Sequence, residues 1–95
     1  SPLKRKKLSK IRSELDKLDN SLIKIIKKRT NLVKKVLELK DKKNQIVDQK
    51  RIDKILSNIK KKSIQNKIDP MITKRIWKNM IWSYINYERK NFKKK

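Results

Sequence analysis

Residues 8–40 read LSKIRSELDKLDNSLIKIIKKRTNLVKKVLELK, with apolar side chains at Leu8, Ile11, Leu15, Leu18, Leu22, Ile25, Leu32, Val36 and Leu39. The steps alternate between three and four, which places these residues on one stripe of a continuous α-helix. The member due between Ile25 and Leu32 is position 29, where Arg29 stands. A helix of roughly 33 residues is about 50 Å long, whereas a compact domain of this size has a radius of gyration of about 12 Å. Its stripe is too long for the rest of the chain to cover, so much of it is expected to bury against a second copy of itself.

Outward from this stretch the pattern predicts two further helices. Asp41-Lys42-Lys43-Asn44-Gln45 is polar and aperiodic, a loop with an Asn suited to a turn. Asp48 reads as an N-cap, followed at helical spacing by Ile52, Ile55, Leu56 and Ile59. This second helix is expected to run three or four turns and fade into Lys60–Lys67. Asp69-Pro70 announces the third, a cap residue followed by Pro at the first helical position. Its apolar face is Ile72, Ile76, Trp77, Met80, Ile81, Tyr84 and Ile85, and Glu88 continues the stripe where another apolar residue was due. The expected fold is all-α, with three helices per chain (long, short and medium) in an intertwined homodimer. Residues 1–7 are assigned to a basic N-terminal tail, 8–92 to one helical domain and 93–95 to a basic C-terminal tail, both tails being read as disordered, solvated charge.

Composition agrees with helices and narrows the chemistry. The chain has no Gly, Cys or His, and Ala is missing as well. Tight hairpin turns would all fall to Asn or Asp, which argues against a sheet. Without Cys or His there is no thiolate nucleophile, disulfide or imidazole metal site, so neither a metal nor a cofactor is expected. Catalysis is left to Arg, Lys, Asp, Glu and hydroxyls.

A formal net charge of +22 first suggests a nucleic-acid binder, because clustered cations supply phosphate affinity. The lysines are instead spread over every segment, apart from Lys4-Arg5-Lys6-Lys7, Lys60-Lys61-Lys62 and Lys93-Lys94-Lys95. Abundant Lys, Ile and Asn without Ala or Gly also follow from A/T-biased coding alone. The five aromatics, Trp77, Trp82, Tyr84, Tyr87 and Phe92, fall together in the third helical segment and read as packing residues in preference to base-stacking platforms. No apolar run approaches the ~20 residues of a bilayer span, and the basic start precedes no signal-peptide core, so a cytosolic protein is expected.

Arg29 and Glu88 are the informative charges, since an unpaired charge in a packed seam costs several kcal/mol. They could pair with one another, snorkel to solvent or serve a ligand. Arg29 and Lys40 lie eleven residues apart, about three turns and about 16 Å along one face, from where long side chains can converge on a small dianion.

Ile11-Arg12, Leu18-Asp19, Leu22-Ile23, Lys28-Arg29, Leu32, Val36 and Lys40 resemble the first helix of the all-α chorismate mutases, whose three cations are spaced by seventeen and then eleven residues, as here. The likeness continues through Ile46-Val47-Asp48-Gln49-Lys50-Arg51 and resumes at Ile76-Trp77, Met80-Ile81 and Tyr84 to Glu88. The resemblance implies a chorismate-to-prephenate rearrangement in which Arg12, Arg29 and Lys40 hold the substrate's carboxylates and ether oxygen, with Asp48 and Arg51 nearby. Arg12 lies about 25 Å along the helix from Arg29, too far for both to touch one small molecule from the same chain. It must therefore serve the partner's site. The inventory suits such chemistry, because a pericyclic step needs a compact conformer and stabilised negative charge on the breaking C–O bond.

Three positions depart from the family pattern. Ile52 stands where the usual enzyme has Glu, Tyr84 where it has Ser, and Glu88 where it has Gln. Ile52 and Tyr84 look more like the isochorismate pyruvate lyase branch of the fold. Glu88 looks like the fungal mutases, in which the carboxyl group must be protonated to donate to the ether oxygen. The mutase is the first reading, the lyase the second, and a non-enzymatic basic module binding nucleic acid or an anionic surface the third.

Overall fold

A computed structural model describes residues 1–94; Lys95, the last residue of the expected C-terminal tail, lies outside the described residues. The elements are α1 (Pro2–Leu39), a 3₁₀ turn (Lys43–Gln45), α2 (Gln49–Gln65) and α3 (Pro70–Asn91). The described residues are all-α, with three α-helices, and none of the described helices is long and apolar enough to cross a membrane. It divides into two compact units, Ser1–Leu32 and Val33–Lys95.

The first unit is helix throughout from Pro2. Ser1 caps it, its Oγ accepting from the Lys4 N–H at 3.3 Å and its carbonyl from the Arg5 N–H at 3.1 Å, and Pro2 has its φ preset for a first helical position. Residues 2–7, read from sequence as a basic tail, are therefore the opening turns of α1; Lys and Arg are good helix formers and a local cap starts them. No residue of α1 is buried. Leu15, Leu18, Leu22, Ile25 and Leu32 are each more than half exposed.

In the second unit α2 and α3 pack on one another. Asp48 caps α2 as the sequence suggests, Oδ1 accepting from the Arg51 N–H at 3.0 Å. Asp69 does the same for α3, accepting from the Met71 N–H at 2.9 Å. Helix α2 runs 17 residues, longer than its apolar periodicity predicts. The reason is polar: buried Ser63 and Thr73 share a 2.6 Å hydroxyl contact that ties the last turns of α2 to the first of α3. Thr73 accordingly takes a place on the buried side of α3, while Ile72 and Ile76, predicted to face inward, are 56% and 52% exposed. Phe92 lies just beyond α3, at its C-cap.

Helix α2 closes in a Schellman motif. The Ile68 N–H reaches back to the Ser63 carbonyl at 2.9 Å and the Lys67 N–H to Ile64 at 3.1 Å. This geometry requires a left-handed residue, and Lys67 supplies it at φ 57°. Glycine usually occupies such a position because a Cβ there is strained. The Lys67→Gly variant is expected to be about 0.5–1 kcal/mol more stable, relief of the left-handed strain outweighing the freer unfolded chain, which a denaturant titration measures as a raised midpoint.

Ile46, Ile52, Ile81 and Ile85 form the buried core, with Val47, Ile55, Leu56 and Phe92 packed around them. Each buried isoleucine contributes about 1.5–3 kcal/mol. Four such residues make a small core. It draws together the loop after α1, the start of α2 and the C-terminal half of α3, and these same elements carry the polar groups described next.

Candidate active site

The charge that interrupts the apolar side of α3 is fully enclosed. Glu88 is 5% exposed, one turn beyond half-buried Tyr84 and beside core residue Ile85. Burial at that level demands a partner, and Lys40 provides it, with Nζ 3.2 Å from Oε1 and 3.1 Å from Oε2 of Glu88. The same ammonium lies 3.5 Å from the Ile46 carbonyl. Lys40 is the first residue past the end of α1, so its side chain leaves the helix terminus and enters the space between the following loop and α3.

The two partners differ in access. The Glu88 side chain is 6% exposed and that of Lys40 is 18%. Solvent thus reaches the cation but hardly the carboxylate. Lys40 also lines a shallow depression with Gln45, Val47, Asp48, Gln49 and Lys50. An ammonium has three N–H donors and no acceptor. A small anion settling in this depression would find Lys40 at its wall, backed by a carboxylate that holds the ammonium in place.

Among the residues expected at a site, Lys40, Asp48 and Glu88 are thus gathered around one part of the second unit. The Asp48 carboxylate serves the Arg51 backbone, and the Arg51 side chain is exposed. Ile52 is a core residue, 8% exposed, and borders a different groove, with Leu56, Lys78, Ile81 and Trp82. Its apolar character is explained by that packing. Arg12, exposed, and Arg29, half-buried, belong to the α1 portion of the first unit. No group of three or more acidic side chains that could hold a metal ion occurs among the described residues.

Two contributors escaped the reading of the sequence. Gln45 Oε1 accepts from the N–H groups of Asp41 and Lys42 at 2.7 and 2.9 Å, pinning the loop directly after Lys40. Gln45 stands three residues after Lys42, the residue before the 3₁₀ turn, and a Gln at that spacing reaching back to backbone N–H groups is a recognisable local capping signal. Lys94 donates to the carbonyls of Glu38 and Lys40, and no local pattern could have revealed partners so distant in sequence. Lys94 is exposed, as expected of a basic tail, and makes these two hydrogen bonds from there.

A helical scaffold that sets a half-accessible cation against a buried carboxylate, with no thiol or imidazole in the chain, is suited to binding a small anion and rearranging it without covalent catalysis. The family profile of chorismate mutase type II matches residues 11–89, and the chain belongs to that family. Its activity is that of an isomerase, the rearrangement of chorismate to prephenate. No match was found among curated proteins or among solved structures.

Proposed function

We propose that the chain works as a homodimeric chorismate mutase whose site is a cage of cations around one substrate molecule. Arg29 and Lys40 come from one chain and Arg12 from its partner, with Arg51 and Asp48 at the margin. The observation that carries the reading is the Lys40–Glu88 pair, an enclosed carboxylate and a reachable ammonium 3.1 Å apart, at two positions where the family pattern places groups facing the ether oxygen.

In the rearrangement a C–O bond breaks as a C–C bond forms within one molecule, and no atom or electron is exchanged with the protein. The protein's work is therefore to hold the reactive conformer and to stabilise charge gathering on the ether oxygen. Arginine suits the carboxylates because its planar fork bonds them in pairs. Lys40, a compact charge on a flexible stem, suits a single oxygen. Glu88 adds a second donor to that oxygen when its carboxyl group carries a proton.

The dimer rests on the α1 stripe. Leu18 and Ile25 are 65% and 60% exposed, and a continuous apolar face of this kind on a helix that is the whole of its unit calls for a partner surface. A second copy supplies a matching stripe and also explains the distance between Arg12 and Arg29.

The direct test incubates the protein separately with chorismate and isochorismate. Prephenate formed far above background supports the mutase. Pyruvate with salicylate from isochorismate would move the chain to the lyase branch that Ile52 and Tyr84 resemble. No turnover of either would favour a basic binding module. A further expectation concerns Glu88: Glu88→Gln, which keeps a donor for the ether oxygen, should retain turnover, whereas Glu88→Leu should lose it. Equal turnover in the wild type and both variants would remove Glu88 from the chemistry.

A further inference from the structure

The final four carbonyls of an α-helix have no N–H four residues on to accept from, and something else must satisfy them. At the end of α1 there is no glycine to turn the chain back. The Lys40 N–H closes onto Leu37 at 3.1 Å, and Lys94 comes in from the opposite end of the sequence. Its Nζ donates to the Glu38 carbonyl and, at 3.0 Å, to the carbonyl of Lys40 itself. The chain reaches this point because α3 stops at Asn91 and Phe92 turns extended, at φ −71° and ψ 120°, with its side chain packed against the isoleucine core.

The peptide unit joining Lys40 to Asp41 is consequently gripped at both ends. Lys94 holds its oxygen at 3.0 Å, and Gln45 holds its N–H at 2.7 Å. Fixing that plane fixes the backbone from which the Lys40 side chain departs. The need is real, because lysine has four rotatable side-chain bonds and little geometric preference of its own. A cation at a helix C-terminus is also favoured by the helix dipole, which helps to keep Lys94 in place.

We infer that Lys94 is a positioning residue, which sets the backbone of Lys40 so that its ammonium meets the substrate's breaking bond. This rests on the reading of Lys40 as a catalytic cation. A displacement of about 1 Å caused by a residue remote from the chemistry can cost as much as ~100-fold in rate; Lys94 bonds the backbone and not the ammonium, so a kcat loss on the order of tenfold is expected for Lys94→Met.

The experiment compares Lys94→Met, Lys94→Arg, Lys93→Met and Lys40→Met in the full-length protein. For each, kcat and KM for chorismate are measured beside the thermal midpoint and the amide spectrum. Lys94→Met should lower kcat with KM nearly unchanged, shift the Asp41 amide resonance and speed its hydrogen exchange. Lys94→Arg should restore most of kcat, since a guanidinium can still donate to two carbonyls. Lys93→Met removes an equal charge and should change neither kcat nor Asp41. An equal loss in Lys93→Met, or a loss in Lys94→Met with Asp41 undisturbed, would overturn the inference in favour of a general charge effect. Full activity in Lys94→Met, with Lys40→Met inactive, would overturn it while leaving the site intact. Full activity in Lys40→Met would remove the cation-cage reading and this inference with it.

Discussion

Chorismate turnover by Lys40→Met is expected to fall by about 10²–10³-fold, the usual consequence of removing one preorganised group that stabilises charge in a transition state, and the same substitution should cost about 3 kcal/mol of stability. Both losses have one origin. Glu88 is 5% exposed, and without the ammonium its carboxylate is left enclosed and deprived of the Lys40 partner. Breaking a buried pair by deleting one partner is far costlier than replacing both, because apolar side chains of similar volume need no hydration and pack well. The double variant Lys40→Met with Glu88→Leu should therefore regain most of the lost stability and none of the turnover. Thermal or denaturant unfolding and a prephenate assay on the four members of this cycle separate the two roles. If the double variant were as unstable as Lys40→Met, burial of the carboxylate would not be what Lys40 offsets. If Lys40→Met turned over normally, the pair would be structural only.

The pairing also shows what a single sequence discloses about such a site. Glu88 was legible because a charge fell on an apolar stripe. The identity of its partner was not, since Lys40 lies 48 residues away and no periodicity links the end of one helix to the last turn of another. Asp48 and Asp69-Pro70 were legible for the opposite reason, being local signals that act within a few residues of themselves. The length of α2 and the inward face of α3 were misjudged at one place, the Ser63–Thr73 contact, because counting apolar residues cannot register two hydroxyls that bury by bonding each other at 2.6 Å. Ile52 looked anomalous against the family pattern of ligand-facing residues and is ordinary as a member of the core. The roles proposed for Arg12, Arg29 and Lys40 rest on the resemblance, whose intervals are longer than any local signal. Lys94 illustrates the limit: one lysine among 31 basic residues acquires its role only where the folded chain brings it.

The largest effect on folding is expected on α1. Within one chain Leu18 is 65% exposed, and a lysine there would change stability by no more than about 0.5 kcal/mol if the chain were a monomer. If the stripe is a seam between two copies, Leu18→Lys removes about 2 kcal/mol of apolar burial and places a charge in the seam at a further cost of several kcal/mol, and it does so once in each chain. The dimer should then dissociate at micromolar concentration. With a core of four buried isoleucines the separated chains should lose most of their cooperative unfolding. Asn20→Lys adds the same charge two residues away on the exposed chain, off the stripe, and should leave mass and melting unchanged. Sedimentation velocity gives the mass, and circular dichroism over a range of concentrations gives the melting. A wild-type midpoint that rises with protein concentration is the mass-action mark of folding coupled to association. A Leu18→Lys protein as heavy and as stable as Asn20→Lys would mean that the seam lies elsewhere, and Arg12 would then have no partner site to serve.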